Sequence, residues 1–189
     1  MFFDTLDGFL DTFRTRNLAR SEAKPQEEEE DIIDELLDLY LLAFYEGSKD
    51  AGEELSTEVE PSVEDAEKVI NQPIEGKTFR DRVRDYLSGD MGETTGTPAE
   101  AIARVAETDS VRIYNEAKLE TAKKSGANFK TWLTMEDNRV RDTHYFLQDV
   151  TVPIDGQFYT YDGDSAPAPA QFTKASNNVN CRCWLTFSK

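Results

Sequence analysis

The chain is short of sulfur and almost without imidazole, with two cysteines and one histidine in 189 residues. That count excludes a secreted scaffold stapled by several disulfides and makes reduced thiols the default. Bases are scarce as well: 21 Lys and Arg stand against 38 Asp and Glu, a formal charge of -17 at pH 7. A surface of that sign repels polyanions, and phosphate binding needs clustered Lys and Arg, so direct sequence-specific nucleic-acid binding is not expected. No apolar run approaches the roughly 18 to 20 residues that cross a bilayer. The opening "MFFDTLDGFLDTFRTRNLAR" carries acids where a secretory signal carries positive charge. No membrane partner is expected, and synthesis in the cytoplasm is. A phosphate loop is missing too: "SGDMGETTGTP" has three glycines but no GK[ST], and reads as a flexible linker.

What the chain does have is apolar bulk, with 11 Phe, 7 Tyr and 2 Trp. That is enough for one domain, or one domain with a helical appendage. Phe2, Phe3, Leu6, Phe9, Leu10 and Phe13 recur at helical spacing and predict an amphipathic opening helix. Its aromatic stripe packs on its own domain in the plainer reading; in the sharper one, Phe2, Phe3, Phe9 and Phe13 dock a partner. A polar hinge, "RSEAKPQEEEED", follows. Ile32, Ile33, Leu36, Leu37, Tyr40, Leu41, Phe44 and Tyr45 predict a second helix ending near Gly47. A third begins behind Pro61 with Ser62 as N-cap, and a fourth presents Phe79, Val83, Tyr86 and Leu87 on one face. The longest helix is expected from Thr97 as cap and Pro98 at the first helical position to Gly126.

After Gly126 the texture changes. "NFKTWLTM" is β-prone, "VTVPIDGQFYTY" alternates Val150, Val152 and Ile154 before an Asp155-Gly156 turn, and "DGDSAPAPAQ" reads as a loop. "CRCWLTF" predicts a last strand with Cys181, Cys183 and Leu185 on one side and Arg182, Trp184 and Thr186 on the other. The fold class is therefore α+β, a helical N-terminal region followed by a small α+β module with short antiparallel strands. The expected division is 1–96, an acidic helical region suited to partner docking, and 97–189, the C-terminal domain.

Two places concentrate chemistry. "TMEDNRVRDTHYFLQD" gathers Glu136, Asp137, Asn138, Arg139, Arg141, Asp142, His144 and Asp149, either as a loop-borne site or as a surface ion-pair network. Cys181 and Cys183, one residue apart, point the same way on a strand, and with His144 and either Asp142 or Asp149 they form a candidate zinc set. Against zinc stand a count of three soft or imidazole ligands and a C-x-C rather than C-x2-C spacing. The plainer reading makes the thiols small buried hydrophobes with no cofactor. A disulfide between such close neighbours strains the bridge geometry. Acidic surroundings raise a thiol pKa, which disfavours a cysteine nucleophile. No residue is assigned a catalytic role.

The order of these elements resembles a family. Glu107, Thr108, Arg112 and Asn115 on a helix are followed by a block with Lys130, Trp132, Thr134, Asp137, Arg139, Arg141 and His144, and by the closing Asn180, Cys181, Arg182 and Cys183. This series is similar to the C-terminal domain of the phage Mu F-like (MuF) minor head proteins, or phage head morphogenesis proteins, over about Thr97 to Leu185. It departs from them at Ser110, and at Leu147-Gln148-Asp149 after the histidine. The resemblance implies a minor head protein of a tailed phage or prophage, associated with the portal vertex and assisting head morphogenesis or DNA packaging and ejection. Its partners would be portal or other head proteins. Its place would be the virion interior or head-tail vertex, after synthesis in the bacterial host cytoplasm. It also implies that the motif residues form a shared core, with Arg139 or Arg141 paired to Asp137, Asp142 or Glu107 and with Trp132 packed near the cysteines. The alternatives are a MuF-associated toxin or metal-dependent enzyme using His144, and an acidic DNA-mimic binder using the Glu22 to Glu67 stretch.

Overall fold

Thr97 and Pro98 start the helix around which everything else is arranged. The Thr97 hydroxyl accepts from the Glu100 N–H while the Glu100 carboxylate accepts from the Thr97 N–H, a reciprocal cap, and proline at the first position gives up no needed donor. In this computed structural model, which describes residues 2–19, 25–90, 92 and 96–189, that helix, α5, runs Pro98–Lys124. It is preceded by α1 (Phe2–Ala19), α2 (Pro25–Glu54), α3 (Val63–Ile70) and α4 (Phe79–Ser88). It is followed by β1 (Phe129–Thr134), α6 (Asp142–Tyr145), β2 (Thr151–Pro153), β3 (Phe158–Tyr159), β4 (Ser165–Ala166), α7 (Ala175–Asn178) and β5 (Cys183–Ser188). Ser62 caps α3 as expected, and Gly89 ends α4 in the left-handed conformation.

α5 is buried nearly all round because α1, α2, α3, α4 and β5 all pack against it. Its alanines let neighbours come close, and the closest is α2: a Cβ on Gly47 would run into the Tyr114 carbonyl and lie 3.2 Å from the Ala117 Cβ. One hydrophobic cluster runs from Phe2 through Leu36, Phe79, Ile102 and Val111 to Trp132 and Phe187, across the expected 96/97 boundary. β1 is the middle strand of an antiparallel sheet of order β2-β1-β5, with Trp132 opposite Leu185 and Thr134 opposite Cys183. β3 and β4 form a separate two-stranded ribbon.

Several expectations are revised. α2, at 30 residues, is longer than α5 at 27. It continues past Gly47 to Glu54 and takes up the expected hinge from Pro25 on; the rest of that hinge, 20–24, lies outside the described residues. The last strand begins at Cys183, and Cys181 precedes it in a turn whose N–H donates to the Asn178 carbonyl (3.1 Å). "DGDSAPAPAQ" is no solvent loop, since it supplies β4 and buries Ala166, Ala168 and Ala170. The stripe offered for docking is occupied within the chain: Phe2, Phe3 and Phe13 are buried, Phe2 stacks on Tyr114 at 4.4 Å, and Phe9 packs on Phe13 at 5.8 Å. An apolar stripe of that size has no reason to wait for a partner when α5 and β5 offer it cover.

Candidate functional site

β1 alternates in burial, so Lys130, Trp132 and Thr134 point inward together. Trp132 is fully enclosed, with the rings of Phe158, His144 and Phe172 at 5.1, 5.4 and 5.7 Å. His144 comes into this box on the single turn of α6, and its Nδ1 lies 3.6 Å from Cys181 Sγ and 3.5 Å from Cys183 Sγ. All three side chains are 1% exposed, and the His144 Nε2 is buried without a hydrogen-bond partner. Arg141 holds α6 in place from outside by donating to the carbonyls of Ser176 and Val179. Both thiols are free. Burial alone would raise Cys181, but hydrogen bonds with Cys183 and His144 hold it well below the usual thiol range. Burial and the neighbouring Cys181 push Cys183 well up. At Cys181 the causes are not the acids expected from the surroundings: the Cys183 thiol and the His144 imidazole act first, and the charges of His144 and Arg141 after them.

A second cluster centres on Glu107, buried on α5 with Arg14 at 3.5 Å and Arg139 at 3.6 Å. Burial raises its carboxyl, and Arg139, Arg14 and Arg182 pull against that rise. Arg182 reaches Asp7 (3.4 Å) and Asp137 (3.2 Å), so four segments of chain meet here. Of the expected pairings, Arg139 with Glu107 is present, Asp137 takes Arg182 instead, and Arg141 holds backbone carbonyls. The remaining motif residues tie elements together. Asn115 donates to the Cys183 carbonyl (3.1 Å) and accepts from the Leu185 N–H (3.0 Å). Arg112 reaches the Val69 carbonyl, Gln72 and Glu116, and Thr108 accepts from the Asn180 N–H (3.4 Å).

Two polar centres were not foreseen. Asp164, buried in the β3–β4 ribbon, accepts from Ser165 N–H, from the N–H and hydroxyl of Thr173, from Lys174 N–H and from Asn177. Burial would raise its carboxyl, but those donors, Thr173 and Asn177 foremost, hold it far below the usual range. Asp109 pairs with Arg82 at 2.5 Å beneath the Tyr40 hydroxyl, whose pKa burial and that carboxylate push well up. In a chain with 38 acids, one more Asp carries no signal of its own, and neither centre has a spacing pattern that sequence reading recognises.

The motif residues are thus consumed by internal contacts. Neither of two surface grooves, one along Phe44, Thr57, Lys68 and Glu120 and one along Gln72, Tyr86, Arg104 and Phe172, is lined by His144, Cys181 or Cys183. Only the His144, Cys181 and Cys183 trio groups three metal-ligating side chains among the described residues. Among the described residues, no helix is long and apolar enough to cross a membrane.

Comparison with known proteins adds three findings. The model of a family described as Phage Mu protein F like protein matches residues 57–186, beginning well before Thr97. A protein named NAD(+)--arginine ADP-ribosyltransferase EFV, from Enterococcus faecalis, is 34% identical over 119 residues, 61% of this chain and 23% of that protein. The chain therefore spans less than a quarter of that curated relative. No solved structure matches.

Proposed function

We propose, because the chain belongs to the Phage Mu protein F-like family, that it is a minor head protein of a tailed phage or prophage, present in few copies at the portal vertex. There it assists head morphogenesis or DNA packaging and ejection. The family match over residues 57–186 carries this reading. The physical properties suit it. Motif residues that bridge elements serve a part that must hold its shape, and a charge of -17 keeps the part from adhering to packaged DNA. Four aromatics of the C-terminal module, Tyr145, Phe146, Tyr159 and Tyr161, are 64 to 71% exposed, an apolar surface of the kind protein contacts cover. The test is to delete the gene from the phage or prophage that encodes it and to analyse purified wild-type particles by mass spectrometry. The account predicts the protein in the particle and, in the deletion, defective heads beside normal tails. Its absence from particles, with infectivity unchanged by the deletion, overturns the reading.

The similarity to the Enterococcus faecalis protein favours a second reading, in which this stretch is one part of a longer toxin and leaves the chemistry to another part. On that reading the chain alone transfers no ADP-ribose from NAD to arginine. Incubation with labelled NAD and an arginine-rich acceptor checks this, and labelling of the acceptor would assign the activity to the chain itself.

A further inference from the structure

We propose that His144, Cys181 and Cys183 form a structural zinc site. This inference is independent of any role in a phage head. The His144 Nδ1 stands 3.6 and 3.5 Å from the two sulfurs, and the three ligand atoms lie within 4.8 Å of one another. In a tetrahedral site with Zn–S of about 2.3 Å and Zn–N of about 2.0 to 2.1 Å, a sulfur and a nitrogen ligand are about 3.6 Å apart. The side chains thus already hold the separation that one shared ion imposes.

The donor set selects the metal. Two thiolates and an imidazole are soft and borderline ligands, which suit zinc and exclude magnesium and calcium. Charge agrees with burial: two thiolates cancel a dication, so the complex is neutral, and a neutral complex is what side chains 1% exposed can enclose. Binding releases the two thiol protons to solvent and leaves no oxidation state changed. The chain has no further Cys or His, so the fourth position falls to an oxygen ligand. The rings of Trp132 and Phe172 wall the imidazole.

The placement explains what the ion would do. It would join α6 to the turn before β5 and to β5 itself, closing loops of 37 and 39 residues. Between those points the chain has only strands of two and three residues and the four-residue α7. Hydrogen-bonded ladders that short hold little by themselves, and a tetrahedral cross-link supplies what they lack.

The test is metal analysis of the full chain, purified without chelator from cells grown with added zinc, and its reconstitution with cobalt(II). The expected result is about one zinc per chain, with thiolate-to-cobalt charge-transfer absorption and the visible bands of a tetrahedral ion. His144→Gln and Cys183→Ser each reduce zinc to background. The wild-type measurement decides the matter whatever the variants' folding. Folded wild-type chain with less than about a tenth of a zinc and no cobalt–thiolate absorption overturns the proposal. So does stoichiometric copper in place of zinc, or full zinc retention in Cys181→Ser/Cys183→Ser.

Discussion

Asn115 acts on β5 as a neighbouring strand would. Its amide donates to Cys183 and accepts from Leu185, satisfying both groups of one ladder step from the side of a helix. Asn115→Ala leaves that buried N–H and carbonyl unpaired and is expected to cost about 2 kcal/mol, read by urea denaturation, while Asn115→Asp recovers only the acceptor half. Asp164 does the same for a loop. Asp164→Ala strands five donors and should cost about 3 kcal/mol at neutral pH. Because the folded-state pKa of Asp164 is depressed, its contribution is complete above the unfolded value near about 4 and is lost as pH falls through the folded value. The stability gap between Asp164→Asn and wild type should therefore narrow in acid; a gap constant from pH 7 to 3 would contradict it.

Lys130 has the opposite sign of effect. Burial lowers it to about 8, with its Nζ donating to the Pro167 carbonyl (2.8 Å) over the Phe158 ring. A base whose folded pKa lies below its unfolded value weakens the fold while charged, and stability returns as pH rises from about 8 towards about 10.4. The Tm of Lys130→Met, relative to wild type, should be most favourable at pH 7 and decline by pH 9.5. None of these three roles is written in local sequence. A lysine in a β-prone run, an aspartate among many and an asparagine in mid-helix take their meaning from partners 37, 9 and 70 residues away.

Elements were legible where their ends carry local chemistry. Ser62, Thr97 and Pro98 mark starts because a side-chain cap is a contact over three residues, and the aromatic spacing of α1 marks its buried face because helical period is local too. What failed was extent. Both ends of α2 are polar, 25–31 and 48–54, and the contacts that hold the second of them are distant in sequence: Tyr114 donates to Asp50 (2.5 Å) and Lys118 to Glu54 (2.5 Å). The α2–α5 packing also requires Gly47. Gly47→Ala forces the two helices apart and should cost about 1 to 3 kcal/mol, measured by thermal denaturation. Removing residues 2–19 uncovers Tyr114 and Trp184 and should raise binding of an apolar dye with α5 still helical by circular dichroism. Unchanged dye binding would mean that α1 is not cover for the core.

Over the whole molecule, the motif that runs from Glu107 to Cys183 is a set of ties between distant segments. Glu107 and Arg182 bind α1 to the β module, Asn115 binds α5 to β5, and His144 and the cysteines bind α6 to the closing strand. The resemblance in sequence pointed to these residues as one core, and their order along the chain could be read; the partners within it could not, because each arginine had several carboxylates in range of any plausible fold. The account's central claim is that these ties make one rigid unit. Native-state hydrogen exchange read by mass spectrometry tests it most directly. Backbone amides of 106–119, 129–134 and 183–188 should exchange together, only through global unfolding and with one dependence on denaturant. Exchange of 129–134 and 183–188 orders of magnitude faster than 106–119 would show the β module opening by itself, and the claim would fail.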